Sequence, residues 1–168
     1  MTADESSVVY RPIGVVHSDF KKHEGTPVQP HRAPDAKGTV EVFSEFEEGL
    51  ADLDGFSHII LLCHLDRSEG FRLKVTPHLD TVERGVFATR APRRPNPIGL
   101  SIVRLDRIEG NRLHIVGLDL LDKTPVLDIK PYVGSLDPEE DVRVGWLTGK
   151  TEAFKSKRAD DRFEGGVD

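Results

Sequence analysis

The stretch Leu100–Val116 reads LSIVRLDRIEGNRLHIV. Two β-rich runs, Leu100 to Leu105 and Leu113 to Val116, flank Gly110-Asn111, which is the pattern of two strands joined by a tight turn. Downstream, Val126 to Val133 is another strand candidate. Upstream, His58 to Leu65 carries the continuous apolar run Ile59 to Cys63, the mark of a strand buried on both faces. Phe71, Leu73 and Val75 alternate with Arg72 and Lys74, and Val142, Val144 and Trp146 alternate with Asp141, Arg143 and Gly145. Val8 to Val16 is β-rich, with Pro12 suited to an edge or a strand start, and Thr39 to Phe43 forms one more strand. One helix is signalled. Ser44 and Glu47 make an S-x-x-E capping box, Phe46, Leu50 and Leu53 follow at helical spacing, and Gly55 stops the run. Many short strands with few helices predict a mostly β fold, a barrel or sandwich with one or two short helices.

The chain has 168 residues, enough for one domain. Hydrophobic residues make up 37% and charged residues 31%, which is polar but not the composition of a disordered chain. No stretch approaches the roughly 20 apolar residues of a membrane span. A single cysteine, Cys63, excludes an internal disulfide and any C-x-x-C site. Met1 to Ser7 is polar, so no signal peptide is read and a cytoplasmic location is expected. The formal charge of −6 argues against a protein that coats nucleic acid, yet the segment Arg84 to Arg107 carries +5. Its six arginines suit bidentate contacts to phosphate or carboxylate groups, or else decorate a solvated strand face.

Several familiar sites are missing. The chain has no G-x-G-x-x-G, no G-x-x-x-x-G-K-[ST] and no H-E-x-x-H. His58 and His64 fall on one face of a strand, where a metal pair is conceivable but structural histidines are favoured. Two segments concentrate chemistry. Gly85–Ser101, GVFATRAPRRPNPIGLS, runs from a strand (Gly85 to Thr89) into a loop stiffened by Pro92, Pro95 and Pro97. That rigid frame holds Arg90, Arg93, Arg94 and Asn96 at little entropic cost to ligand binding. Gly117–Tyr132, GLDLLDKTPVLDIKPY, contains a turn at Asp122-Lys123-Thr124-Pro125 and places Asp128 and Lys130 where they can share a face. Its acidic turn either accepts hydrogen bonds from a ligand or caps its own backbone. Lys21 to Lys37 is a long loop with three prolines, a length that usually serves function.

These segments, with Arg11-Pro12-Ile13-Gly14, Pro27-Val28-Gln29-Pro30 and Leu53 to Ile59, resemble the TrmO-type (YaeB-like) tRNA methyltransferases over roughly Tyr10 to Trp146. The resemblance implies a single compact β-barrel, not a Rossmann fold. It implies S-adenosylmethionine as cofactor, no metal, and a homodimer. The substrate implied is tRNA bearing N6-threonylcarbamoyladenosine just 3′ of the anticodon, methylated on N6. Carried over by motif, Val28, Gln29, Pro30, His64, Arg90, Leu100, Leu120, Leu121, Asp122 and Lys123 would contact the cofactor. Arg93, Arg94, Asn96 and Pro97 would contact the substrate, with the two arginines reaching tRNA rather than holding the fold. His64 is the candidate base. The family's turn is D-G-T-P; here Lys123 replaces the glycine, which makes a positive φ costly at that position.

The expected organisation is a flexible N-terminus over 1–9, a barrel methyltransferase domain over 10–150, and a charged tail over 151–168 with room for a short helix within Glu152 to Arg162. Trp146 either meets a partner or closes the bottom of its own barrel. The alternative to an enzyme is a non-catalytic S-adenosylmethionine- or RNA-binding module on the same barrel; a metal-dependent hydrolase has only the histidine pair behind it.

Overall fold

The computed structural model describes residues 7–21, 35–134 and 144–149. The expected flexible start (in part), most of the Lys21 to Lys37 loop, Val142 and Arg143, and the C-terminal tail with its helix lie outside the described residues. The strands are β1 (Gly14–His17), β2 (Lys37–Val42), β3 (His58–His64), β4 (Lys74–Val75), β5 (Arg84–Gly85), β6 (Ile98–Glu109), β7 (Arg112–Val116) and β8 (Pro125–Pro131). Six of them close into an antiparallel barrel in the order β1-β2-β7-β6-β3-β8, with β8 pairing back to β1. β4 and β5 form a separate small hairpin.

The β6–β7 hairpin forms as the sequence predicts, with Gly110 taking the positive φ of 56° that the turn requires. Alternate residues point inward. Val16, Val40, Ile59, Leu61, Cys63, Val103, Leu113, Ile115 and Val126 fill the interior, and each such aliphatic side chain contributes about 1.5–3 kcal/mol by leaving water. β3 does not bury both faces. Ile59, Leu61 and Cys63 are sealed in the core, whereas Ile60 and Leu62 are half-buried on the outside. The continuous apolar run therefore reports an apolar outer surface, because a barrel made by one chain leaves its second face uncovered.

Several other expectations are corrected. Ser44 does not cap a helix: Phe43 holds the N-cap position without a side-chain bond, and Ser44–Leu50 is a 3-10 helix. A second 3-10 turn, Leu53–Gly55, begins after Asp52, whose φ is 64°. The apolar spacing was still meaningful, since Phe46, Leu50 and Leu53 pack against the barrel core. Regular pairing in the first strand starts at Gly14, not Val8, and Val8, Val9 and Tyr10 are exposed. Gly85 to Thr89 is not a strand, because Val86–Ala88 turns as a 3-10 helix. Phe71 and Leu73 are exposed, and only Lys74–Val75 pair. Gly145–Leu147 is a 3-10 turn, so the alternation ending at Trp146 does not mark a strand there. Trp146 closes no barrel end. Its indole donates to the Ala88 carbonyl at 2.8 Å, and the Arg84 guanidinium lies over its ring, beside the β5 hairpin.

Pairing registers place His17, Lys37, His64, Ile98, Val116 and Pro125 at one end of the barrel. β7 and β8 are not neighbours, so Gly117–Thr124 must cross that mouth to connect them. The crossing segment drops Leu118 and Leu120 into the barrel as a stopper, with Leu121 buried next to them, all at most 6% exposed. Above Arg104, β6 pairs with β3 alone, which leaves one edge of Ile98–Val103 unladdered beside the stopper.

Candidate functional site

The mouth of the barrel gathers most of the residues singled out in the sequence. His64 ends β3 and faces solvent. Leu65 follows, and its N–H donates to the Pro97 carbonyl at 2.8 Å, docking the proline loop onto the end of β3. Gly99 is needed for that contact, since a Cβ there would lie 2.9 Å from a methyl of Leu65. Arg90 and Asn96 are exposed, Pro97 is half-buried, and Leu100 is 49% exposed on the outer face of β6. Val28, Gln29 and Pro30 lie outside the described residues, but their flanks, Lys21 and Asp35, both sit at this mouth: the Phe20 carbonyl accepts from Asp122 N–H, and the Ala36 carbonyl accepts from Gly117 N–H.

The expected turn is present, closed by the Thr124 N–H donating to the Leu121 carbonyl at 3.2 Å, and its other struts come from elsewhere in the chain. The Lys123 N–H donates to the Val16 carbonyl at 2.8 Å. The Ser18 hydroxyl donates to the Leu120 carbonyl at 2.9 Å. Arg67 donates to the carbonyls of Lys21 and Asp122 at 3.0 and 2.7 Å. The Asp122 carboxylate accepts from the Ser18 N–H at 3.1 Å and from Lys21 Nζ at 2.6 Å. Lys21 beside it holds the Asp122 carboxyl below the usual carboxylate range. This carboxylate thus braces a neighbouring segment rather than its own turn. Lys123 has φ 70°, as its place in the turn demands, at a cost of about 1–2 kcal/mol for a residue with a Cβ. Leu120 and Leu121 have their side chains in the core, so only their backbone can face a ligand.

Asp119, just before the stopper leucines, is the other acid at the mouth. It accepts from the Ser101 hydroxyl at 2.7 Å, across the unladdered edge of β6. Burial pushes its carboxyl up to about 6, opposed by the Ser101 hydrogen bond and the Arg90 charge. Burial, with Asp119 nearby, likewise pushes the Cys63 thiol up to about 12, so Cys63 is a packed apolar residue and not a nucleophile. A carboxyl that binds its proton more tightly when folded gives a definite sign. Between 3.8 and about 6 the folded state holds more protons than the unfolded state, so stability falls as pH rises through that window. Asp119→Asn should flatten this part of a melting-temperature profile against pH. Asp122 acts oppositely, its contribution being lost as acid protonates it.

The arginine-rich loop divides in an unexpected way. Arg93 is 6% exposed, part of the loop's own interior, and its carbonyl accepts from the Arg72 N–H. One Arg94 nitrogen donates to the carbonyls of Thr89 and Ala91 at 3.0 and 3.1 Å. Arg94 thus braces the loop backbone and Arg93 is buried within the loop, whereas the resemblance expects both to contact tRNA. Arg84 is bound by two nitrogens to one oxygen of Asp80. Arg90 is left as the exposed guanidinium at the mouth, while Arg104 and Arg107 lie further down β6.

His58 and His64 lie on one strand face but six residues apart, about 20 Å, too far to share an ion. His58 instead bonds Ser57 at 2.9 Å and meets Tyr132 edge-on. Asp128 and Lys130 do share a face and pair at 2.7 Å. Among residues the sequence reading passed over, Ser18, Lys21, Arg67 and Ser101 all bond the mouth segment directly.

Comparison with known proteins places this mouth in context. The family model described as the tRNA-methyltransferase O N-terminal domain matches residues 15–138. A probable S-adenosyl-L-methionine-binding protein of Pyrococcus abyssi is 52% identical over 93% of this chain and 85% of its own length. A mouse tRNA (adenine(37)-N6)-methyltransferase is 36% identical over 84% of this chain, which spans 34% of that protein. A crystal structure of TrmO superposes with a TM-score of 0.72 at 45% identity, over 83% of this chain and 64% of that one. The matched part of this chain thus spans about a third of the mouse relative and just under two thirds of the solved TrmO chain.

Proposed function

The chain belongs to the tRNA-methyltransferase O N-terminal-domain family, and from that footing we propose that it is an S-adenosylmethionine-dependent methyltransferase acting on N6 of threonylcarbamoyladenosine next to the anticodon of tRNA. The observation that carries this is the meeting of the proline loop and the Asp122-Lys123-Thr124-Pro125 turn at one barrel mouth, in a member of this family.

The residues at the mouth suit the cofactor. Arg90 is an exposed guanidinium for a carboxylate. Asp119 offers an acceptor for hydroxyl or ammonium groups, and its raised affinity for a proton reflects its burial. Leu100 supplies an exposed apolar wall, and the backbone of Leu120 to Lys123 supplies polar edges. The resemblance adds Val28, Gln29 and Pro30 as cofactor contacts. When bound, the cofactor supplies a methyl group on a sulfonium, so the protein's task is chiefly positioning. The chain needs no nucleophile of its own. His64, an exposed imidazole at the rim, would accept the proton lost from the substrate nitrogen, and Asn96 and Pro97 would contact the modified base.

The protein would act as a cytoplasmic homodimer. The outer face of β3 and β6 presents Ile98, Leu100 and Ile102, 38–49% exposed, beside half-buried Ile60 and Leu62. A second copy laid there would cover this apolar strip and add a wall next to Leu100. Light scattering of active protein should give twice the monomer mass; a monomeric mass with full activity would refute the shared wall. The test of function is transfer of label from S-adenosylmethionine to tRNA with and without the threonylcarbamoyl group. One observation keeps a binding module in view: an Archaeoglobus fulgidus relative, 44% identical and matched over 93% of its length, is named for binding S-adenosyl-L-methionine alone. Cofactor binding without transfer would favour that reading.

A further inference from the structure

A second concavity, about 570 Å³, opens on the outer face of β1, β2, β7 and the lower half of β6. We propose that it carries the sugar-phosphate backbone of the RNA, with Lys37, Arg104 and Lys123 as phosphate contacts. The inference rests on the reading that the substrate is tRNA.

Five lysine and arginine side chains line this groove, in a chain whose formal charge is −6. Two are already neutralised. Lys21 is held by Asp122 at 2.6 Å, and Arg107 by Glu109 and Asp106 at 2.7 and 3.2 Å. The others have spare charge. Lys37 and Lys123 are exposed and form no ion pair with a carboxylate among the described residues, and Arg104 reaches Asp106 only at 4.0 Å. Cations spaced along an open groove and not paired off suit a chain of phosphates, which binds by displacing counterions, better than a single compact anion.

Lys123 ties the groove to the barrel mouth. Its backbone is locked in the left-handed region by the turn, at φ 70°. Its ammonium donates toward His17 Nδ1 at 3.2 Å, and His17 Nε2 in turn bonds Glu41 at 3.1 Å. That chain of bonds needs the His17 tautomer with its proton on Nε2, and it points the ammonium into the upper end of the groove. Asp122 and Lys123 therefore belong both to the groove and to the turn beneath the candidate cofactor site. A backbone lying along the groove would lead straight to the mouth. This placement also gives the positive segment of the sequence a different use: its working cation for RNA is Arg104 on β6, not the arginines of the proline loop.

The test is direct binding of labelled tRNA, without cofactor, across a series of salt concentrations. Lys37→Gln/Arg104→Gln should weaken binding about tenfold and make the slope of log K against log[salt] shallower by about 1.4–1.8, two contacts' worth. Lys123→Gly should flatten the slope by about 0.7–0.9 without lowering the melting temperature, because glycine accepts the left-handed backbone. Wild-type slopes in both variants would overturn the groove while leaving the functional reading intact. Failure of the wild-type protein to bind tRNA at any salt would overturn that reading and the groove with it.

Discussion

Leu118→Ala lowers the unfolding free energy by about 2–5 kcal/mol, with the upper half of that range expected. Leu118 is fully buried in the middle of the segment that stops the barrel mouth. The site cannot collapse easily around a truncated side chain. A Cβ added at Gly38 would already overlap a Leu118 methyl, so the two strands meet the stopper without slack. The void would also loosen Asp119, the next residue, and with it the Ser101 hydrogen bond. Urea denaturation reads the loss directly as a shifted midpoint at unchanged slope. A loss below about 1 kcal/mol would mean that the crossing segment is not an integral part of the core.

Asp122→Ala weakens S-adenosylmethionine binding by about 1–3 kcal/mol, or roughly 5- to 150-fold. The carboxylate holds the Ser18 N–H and the Lys21 ammonium, and only 14% of the side chain is exposed. Its removal strands the Ser18 donor and frees the arm that leads into the segment bearing Val28, Gln29 and Pro30. The turn then loses its geometry as well as its charge. Calorimetric titration of the cofactor against wild-type and variant protein measures the effect. Asp122→Asn, which keeps an acceptor for Ser18 but loses the charge facing Lys21, should fall between the two.

What could be read in the sequence depended on how locally each feature was encoded. The β6–β7 turn was legible because Gly110-Asn111 carries its own conformational demand. The positive φ at Lys123 was legible only through the resemblance, whose turn has glycine at that position. The Ser44 capping box failed because Phe43 takes the cap position and the segment tightens to a 3-10 helix on the barrel. Apolar continuity from Ile59 to Cys63 could not distinguish a strand buried on both faces from one with an apolar outer surface. Charge counting grouped six arginines that the fold sends to different places, Arg94 bracing the loop, Arg93 buried within it and Arg84 stacking on Trp146. The braces of the mouth were beyond reach. Ser18 and Lys21 meet Leu120 and Asp122 across about a hundred residues, and Arg67 meets Asp122 across 55. Only the closed barrel brings them together.

Label transfer to defined tRNA tests the central claim most directly. Purified protein is incubated with methyl-labelled S-adenosylmethionine and tRNA prepared with or without the threonylcarbamoyl modification, and the nucleosides are resolved by mass. The account predicts one added methyl on N6 of threonylcarbamoyladenosine and none in the unmodified tRNA. Tight cofactor binding with no label in either tRNA, or equal labelling of both, would contradict it.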